Sequence, residues 1–344
     1  MKRSLVVVVL WSVLVCFSSC NKEDDTESVI ANQNNEVSTT PSAVISHLVR
    51  PPYLKAGDTV AVCSISNAVT RSDLEQGIGY LRSWGLIVLE ADNLYAEPYD
   101  GRYSGTIEER VLSLQSMIDD NSVRAIFFAR GGYGASQMLG RVDLSRLVSS
   151  PKWLIGYSDL TAMHIAVNNL GVASVHGPLM HDIIKDSASR QLLHDVLFGV
   201  GDMSITIATD SNCKQGVAEG RLVGGNLSLI YSECGTPFDL NTTDAILFFE
   251  DTGESNYAID RMLLALQLSG KLAQIKGVVV GEFFNCNQYR DISLDAIIQK
   301  YFGPLGVPIM YGVPSGHDTQ NYALVLGGMA HLDVGSSEAT LSFR

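Results

Sequence analysis

Three polar residues stand where apolar strands give way to turns or loops, and their types suit nucleophilic catalysis. Ser158 follows the apolar run "WLIGY", Glu250 closes the strand "AILFFE", and His317 lies in the Gly/Pro/Ser loop "VPSGHDTQN". A nucleophilic serine needs a base, and the base needs an orienting carboxylate. The order strand, sharp turn, Ser, helix is also that of a nucleophile elbow, although "GYSDL" lacks the second glycine of that motif.

Each of these residues also has a structural interpretation. Serine is among the best helix N-caps, and Asp159 in a first turn would complement the helix dipole. Ser158 therefore fits a cap as well as a nucleophile. Glu250 is either a solvated strand end or a functional carboxylate, with Asp251 and Glu254 as competing candidates.

Two further histidines, His176 and His181, flank "GPLM" and are candidates for lining a pocket. The other four, at positions 47, 164, 194 and 331, occupy linker, apolar or surface positions where a structural role dominates.

The stretch "ARGGYGAS" follows the apolar run "VRAIFF" and has two interpretations. It is a tight turn that needs positive φ, or a loop that offers backbone N–H groups to an anion. A dinucleotide fingerprint fails because Gln137 stands in place of the third glycine. Loops after successive parallel strands meet at one rim, so we expect this loop beside Ser158 and favour the anion-binding interpretation.

Strand and helix patterns alternate from the predicted first strand "TVAVCSI" onward, which predicts an α/β layer with parallel strands. Within it, Ser72-x-x-Glu75 and Thr106-x-x-Glu109 are capping-box patterns. The sequence predicts an N-terminal parallel-sheet α/β domain over 51–185, a connection over 186–215, and a smaller mixed α+β domain over 216–344.

Composition excludes some classes of partner. The chain has 344 residues, 46% of them hydrophobic, and a net charge of -13 from 37 acidic and 24 basic residues. This length favours two domains with a substantial core. This acidic composition gives no excess of basic residues to bind a phosphate backbone, so we expect no nucleic-acid partner.

The N-terminus has the pattern of an export signal. Lys2 and Arg3 precede an apolar run that ends in "FSSC". We predict a signal peptide over 1–20 with Cys20 as a lipidated residue, then a disordered linker over 21–50. A plain signal peptide or an N-terminal anchor is the alternative. The expected location is outside the cytoplasm, as a membrane-anchored lipoprotein facing the periplasm or the cell surface.

The cysteines give no metal motif. Cys63, Cys213, Cys234 and Cys286 remain after the N-terminal segment, and no C-x-x-C pair or Cys/His cluster occurs. An exported compartment permits disulfides, but their pairing cannot be deduced from the sequence, and four free thiols are the alternative. We expect no metal and no cofactor.

Several blocks follow one another from about Pro51 to the C-terminus: "LKAGDTVAV", "ARGGYGASQML", "LIGYSDLTAMH", "HGPLM", "GRLVGGNLSLI", "ILFFEDTGESNYAIDRML" and "GVPSGH". In this order and spacing they resemble the LD-carboxypeptidase family. That family comprises serine peptidases and includes muramoyltetrapeptide carboxypeptidases and microcin C self-immunity peptidases.

The resemblance implies a role for each candidate. The nucleophile would be Ser158, the acid Glu250 and the base His317. The oxyanion hole would use the backbone N–H groups of Asp159 and Gly132. The expected activity is metal-independent hydrolysis of the L,D-peptide bond to the terminal D-alanine of murein tetrapeptides, by a homodimer.

The resemblance leaves other points open. A carboxypeptidase must capture a terminal carboxylate, for which Arg130 is a candidate, with a structural ion pair as its alternative. Asn226 would orient substrate or cap a turn. Cleavage of peptide-nucleotide conjugates and non-catalytic muropeptide binding are the alternative functions. The chain departs from the family in its export signal and in "CSISN", where the family has Pro-Ser-Gly.

Overall fold

The structure, a computed structural model, describes residues 48–287 and 292–343. The predicted signal peptide, Cys20 and nearly all of the predicted linker lie outside the described residues. Across the two described ranges, no helix combines the length and the apolar character that crossing a membrane requires.

Fifteen strands occur in the described ranges. In chain order they are β1 Thr59–Cys63, β2 Ile87–Glu90, β3 Pro98–Tyr99, β4 Tyr103–Ser104, β5 Val123–Phe128, β6 Trp153–Gly156, β7 Ser174–His176, β8 Ser204–Ala208, β9 Gly216–Asn226, β10 Ala245–Thr252, β11 Gly277–Phe284, β12 Ile309–Tyr311, β13 Leu324–Leu326, β14 Met329–Val334 and β15 Glu338–Phe343.

Nine α-helices lie between these strands in the same part of the chain. They are α1 Arg71–Ser83, α2 Ile107–Asp119, α3 Ala135–Met138, α4 Arg146–Ser149, α5 Thr161–Asn169, α6 Ser187–Phe198, α7 Leu227–Glu233, α8 Asn256–Leu268 and α9 Leu294–Phe302. Two 3-10 turns, Ser158–Leu160 and Gly303–Leu305, complete the helical elements.

The first sheet has the strand order β13-β7-β6-β5-β1-β2. The strands from β7 to β2 are parallel, and their mostly apolar sequences fit strands that are covered on both faces. The predicted parallel-sheet α/β layer is therefore confirmed. Because β1, β5 and β6 are neighbours, the loops after them meet at one rim.

The second sheet has seven strands in the order β12-β11-β10-β9-β14-β15-β8. Strands β9 to β12 are parallel, whereas β14, β15 and β8 add an antiparallel extension. This mixed, sheet-rich second part agrees with the predicted fold class. The exact domain limits stay predictions.

The segment predicted as a connection, 186–215, contains regular structure. It forms α6, whose N-cap Asp186 accepts a hydrogen bond from the Ser189 N–H, and then β8. Strand β8 pairs with β15 at the edge of the second sheet. The loose sequence pattern there reflects an amphipathic surface helix and an edge strand.

One capping prediction is confirmed and one is wrong. Helix α2 has the predicted box between Thr106 and Glu109. Helix α1 begins two residues earlier than the pattern Ser72-x-x-Glu75 implied. Its N-cap is Thr70, and Asp73 completes the box by accepting a hydrogen bond from the Thr70 N–H.

A shared hydrophobic core connects the two sheets. One cluster contains Val60 and Val62 of β1, Ile246 and Phe248 of β10, and Leu324 of β13, all fully buried. Strand β13 is antiparallel to β7, so a late segment of the chain supplies an edge of the first sheet.

All four cysteines in the described ranges are free thiols. Cys63 is buried, and the other three, Cys213, Cys234 and Cys286, are partly buried. The alternative of four unpaired cysteines is the one the structure contains.

Candidate active site

Ser158 lies on a strained turn at the end of a buried strand. Strand β6 is fully buried, and the chain then turns through the 3-10 turn Ser158–Leu160 into α5. Ser158 has a φ of 63°, in the left-handed region that non-glycine residues rarely occupy. Such strain concentrates at functional sites, where the surrounding structure maintains it.

The interpretation of Ser158 as a helix cap is wrong. Tyr157 precedes the 3-10 turn, Leu160 precedes α5, and neither makes a side-chain capping bond. The Ser158 hydroxyl instead meets a histidine ring from the distant end of the chain.

That histidine is His317, which connects the three predicted residues. Its Nε2 lies 2.9 Å from Ser158 Oγ, and its Nδ1 lies 2.7 Å from Glu250 Oε2. Glu250 accepts the Nδ1 proton, which leaves Nε2 free to accept a hydrogen bond from the serine hydroxyl. The competing carboxylates Asp251 and Glu254 have no such bond to the ring.

Two strands and one loop produce this alignment. Glu250 belongs to β10 and is 0% exposed, at the carboxyl end of a fully apolar run. His317 lies in the loop after β12, with 14% of its side chain exposed. The buried Glu250 carboxylate therefore fixes the His317 ring through Nδ1, and Nε2 on the opposite side of the ring faces Ser158.

Charge around His317 changes its basicity. Burial alone would lower the pKa of the imidazole, but the Glu250 carboxylate raises it through its charge and hydrogen bond. Asp251 and Asp182 add smaller effects in the same direction, so the pKa of His317 lies above its ordinary value.

An aromatic ring lies against the same histidine. The ring centroids of Tyr157 and His317 are 4.8 Å apart at an interplanar angle of 59°. The Tyr157 hydroxyl donates to Asp182 Oδ2 at 2.9 Å, and both residues are buried. Asp182, which the sequence pattern did not single out, also contacts Lys185 and His181.

The glycine loop lies beside the serine, as the strand order predicted. A Cβ on Gly131 would be 3.3 Å from the Cβ of Ser158. Gly132 has a φ of 123°, and the Asn67 amide fills the space where its Cβ would be. Only glycine fits at position 132. The backbone of the loop approaches Ser158 closely at Gly131.

Asp159 differs from its predicted role at the helix dipole. Its carboxylate is 0% exposed, and Oδ2 accepts hydrogen bonds from Ser66 Oγ at 2.5 Å and from the Ala135 N–H at 2.9 Å. Burial raises the pKa of this carboxyl, while these hydrogen bonds and the charge of Arg110 oppose that rise.

Arg130 is exposed at the start of the glycine loop. Its charge helps to lower the pKa of Asp73, after hydrogen bonds from Thr70, and contributes to the lowered pKa of His181, after burial. No ion pair fixes its guanidinium to any residue within the described ranges.

Asn226 caps helix α7. Its Oδ1 accepts the Leu229 N–H at 3.2 Å, and its Nδ2 donates to Asp251 Oδ1 at 2.9 Å. Of its two alternatives, the cap is therefore the one that its contacts support.

The two histidines that flank "GPLM" lie near the site. His176 is fully buried, with its ring edge-on to Tyr157 and to Phe248. His181 is partly exposed, and its Nδ1 lies 3.2 Å from the Ala129 carbonyl oxygen.

Glu282 of β11 is a carboxyl that the sequence pattern did not single out. Burial and the neighbouring Asp318 raise its pKa to about 7. Its Oε2 accepts the Asp318 N–H at 3.3 Å, beside the loop of His317. The signal in the sequence was a lone charged residue near the end of the apolar run "GVVVGEFF".

The described residues hold no group of three or more His, Cys, Asp or Glu side chains placed to bind a metal ion. A serine, a histidine and a carboxylate in hydrogen-bonded series, with backbone amides nearby, is the arrangement of the serine hydrolases.

Comparison with known proteins gives the family. Residues 60–177 match the LD-carboxypeptidase N-terminal domain, and residues 219–332 match the LD-carboxypeptidase C-terminal domain. The chain belongs to the LD-carboxypeptidase family.

Curated relatives cover nearly the whole folded part. A probable murein peptide carboxypeptidase of Bacillus subtilis is 32% identical over 311 residues, which are 87% of this chain and 96% of the relative. A murein tetrapeptide carboxypeptidase of Pseudomonas aeruginosa is 30% identical over 80% of this chain and 92% of its own length.

Solved structures share the fold. Muramoyltetrapeptide carboxypeptidase from Oxalobacter formigenes superposes with a TM-score of 0.75 at 26% identity, over 83% of this chain and 98% of that one. The microcin C7 self immunity protein MccF has a TM-score of 0.74 at 20% identity, over 85% and 98% of the two chains.

Proposed function

We propose that this protein is a serine carboxypeptidase that hydrolyses the L,D-peptide bond to the terminal D-alanine of murein tetrapeptides. The observation that carries the proposal is the series Ser158, His317, Glu250, with hydrogen bonds of 2.9 and 2.7 Å. The Bacillus relative, a probable murein peptide carboxypeptidase, and the Pseudomonas relative, a murein tetrapeptide carboxypeptidase, support the substrate class.

In the first half-reaction, His317 Nε2 takes the proton from Ser158 as Oγ attacks the carbonyl carbon of the scissile bond. Glu250 stabilises the imidazolium that forms. The carbonyl oxygen becomes an oxyanion, which the backbone N–H groups of Asp159 and Gly132 stabilise. The imidazolium then protonates the leaving amine, and D-alanine departs.

In the second half-reaction, water replaces the amine. His317 takes a proton from water, the hydroxide attacks the acyl ester, and Ser158 regains its proton as the tripeptide leaves. Each step is assigned to a side chain or a backbone N–H of this chain, so the proposal includes no metal ion. Arg130 is the proposed partner of the terminal carboxylate, because it is exposed next to the glycine loop.

The test incubates the full chain with murein tetrapeptide and measures D-alanine by mass spectrometry. We expect release by the wild type, no release by Ser158→Ala, and unchanged release by Ser149→Ala, a serine on the remote helix α4. Activity should persist in the presence of a chelator. Wild-type rates in Ser158→Ala would contradict the mechanism.

The same experiment separates the alternatives. Acylation of Ser158 by a serine-reactive probe, without release of D-alanine from the tetrapeptide, would favour cleavage of a different peptide conjugate. Tight binding of the tetrapeptide without acylation or release would indicate a muropeptide-binding protein.

We also propose export, a lipid anchor on Cys20 and a homodimer. The sequence of residues 1–20 supports the first two, and the family resemblance supports the third. Lipid labelling of the wild type but not of Cys20→Ala tests the anchor. Sedimentation of the solubilised protein tests the dimer.

A further inference from the structure

Three segments of the chain lie next to one another beside Ser158. They are the loop after β1, with Ile65 and Ser66; the glycine loop; and the turn that carries the serine. In the proposed mechanism, one oxyanion donor is the backbone N–H of Asp159, and the other belongs to Gly132. The two donors lie on different segments, so their separation depends on what connects those segments.

The Asp159 side chain makes that connection. Its backbone belongs to the serine turn, and its Oδ2 accepts the Ala135 N–H, three residues beyond Gly132. The same oxygen accepts the Ser66 hydroxyl from the loop after β1. One buried carboxylate oxygen therefore joins all three segments, and hydrogen bonds to a charged acceptor are the strong ones.

Arg110 of α2 connects two of these three segments, the loop after β1 and the glycine loop. Its Nη1 donates to the Ile65 carbonyl at 2.8 Å and to the Gly134 carbonyl at 3.3 Å. Any side chain on Gly134 would collide with this guanidinium, because a Cβ there would lie 2.6 Å from Nη1. Arg110 is only 2% exposed, and its positive charge favours the ionised form of the Asp159 carboxyl, against the burial that raises the pKa of that carboxyl.

We propose that the Asp159 carboxylate, supported by Arg110, is a positioning group that fixes the spacing of the two oxyanion donors. Without it, the buried Ala135 N–H and the Ser66 hydroxyl lose their acceptor, and the glycine loop moves toward water. Gly132 then no longer points at the oxyanion. The inference rests on the proposed function, because it assigns a role within that mechanism.

The experiment measures kcat and KM on murein tetrapeptide for the wild type, Asp159→Ala and Asp159→Asn. It also measures the inhibition constant of a peptide boronate, which forms a tetrahedral adduct on Ser158. The matched control is Asn168→Ala, which removes buried hydrogen bonds to Val172 and Leu326 at the far end of α5.

For Asp159→Ala we expect kcat to fall about 100-fold, as when one oxyanion donor is removed. KM should be unchanged, and the boronate should bind correspondingly more weakly. Asp159→Asn keeps an oxygen at the junction and should restore most of kcat. Asn168→Ala should lose stability but keep both kcat and boronate affinity.

The inference is overturned if Asp159→Ala keeps wild-type kcat and boronate affinity, or if Asn168→Ala loses as much of both. If Asp159→Ala does not fold, the variant Ser66→Ala tests the positioning role of Asp159 in its place. It removes one bond and should lower kcat by a smaller factor at constant KM, whereas unchanged kcat overturns the inference. The boronate forms its adduct on Ser158 without cleavage of a peptide bond. Its inhibition constant can therefore be measured even if the tetrapeptide is not a substrate.

Discussion

His317 has hydrogen-bond partners at both ring nitrogens and an aromatic ring against one face. Glu250 fixes its tautomer and its orientation, while Tyr157 restricts tilting of the ring. In the proposed mechanism, the function of Nε2 is to exchange a proton with the Ser158 hydroxyl, which lies 2.9 Å away. A base with a raised pKa accepts that proton more readily, provided that it is unprotonated at the start.

The pH dependence of kcat/KM should follow the His317 pKa. The base works in its neutral form, so activity appears as pH rises through that pKa, which lies above the ordinary 6.5. In Glu250→Gln the charge that raises the pKa is gone, so the acidic limb should move to lower pH while kcat falls. Rate profiles of both proteins between pH 5 and 9, in buffers of constant ionic strength, check this. A wild-type midpoint at or below 6.5 contradicts the prediction.

The positive φ of Ser158 predicts an unusual order of stability. Neither Ser158→Ala nor Ser158→Gly removes a helix cap, but only glycine adopts a φ of 63° without steric cost. The glycine variant should unfold with a free energy about 1 kcal/mol larger than that of the alanine variant. Both should be inactive. Equal unfolding free energies in urea would show that the turn relaxes.

The local sequence around Ser158, Glu250 and His317 left alternatives open for each residue, and the resemblance of the ordered blocks to the LD-carboxypeptidase family selected these three. The sequence could not identify the junction at Asp159. The partners Ser66 and Ala135 are 93 and 24 positions away, and nothing local to either indicates a buried acceptor. Such contacts depend on which loops the sheet order brings together.

At the scale of elements, the strand positions were predicted better than the helix starts. Apolar runs such as β10 and β11 are unambiguous because both faces are buried. Thr70 and Ser72 both carry capping hydroxyls, and the start of α1 depended on Asp73, which lies three residues after Thr70. Helix α6 was not predicted, although Leu193, Val196 and Leu197 recur at helical spacing on its buried face.

Strand β11 carries a pH-sensitive group. Glu282 has a pKa raised from 4.5 to about 7 by burial and by Asp318. A raised pKa in the folded state contributes stability at low pH that is lost as pH rises through about 7. Glu282→Gln has no such charge, and its amide oxygen still accepts the Asp318 N–H.

The Tm of Glu282→Gln should therefore exceed that of the wild type at pH 8, with the difference shrinking toward pH 5. Scanning calorimetry at both values measures it. If the Tm difference between Glu282→Gln and the wild type is the same at pH 5 and pH 8, its cause is packing and not titration of Glu282.

At the scale of the whole molecule, the two sheets share a core, and hydrogen bonds connect the earlier and the later part of the chain. Strand β13 pairs with β7, and the Asn226 N–H of β9 donates to Thr161 Oγ1 at the start of α5. Each contact crosses between the part that carries the serine and the part that carries the acid and the base.

Unfolding should accordingly be cooperative. Trp84 and Trp153, the tryptophans in the described ranges, both lie in the first-sheet part, so their fluorescence reports that part alone. Far-UV circular dichroism reports both sheets. We expect the two transitions in urea to coincide, as in two-state unfolding. Separate midpoints would mean that the halves unfold independently.

The pairing of β13 with β7 also has a consequence for biosynthesis. Ribosomes deliver the N-terminal segments first, so β7 waits for its neighbour until residues 324–326 have emerged, about 150 positions later. His317 arrives in the same final stretch. Until then the nascent polypeptide has Ser158 but neither the His317 ring that contacts it nor the edge strand β13 of its first sheet.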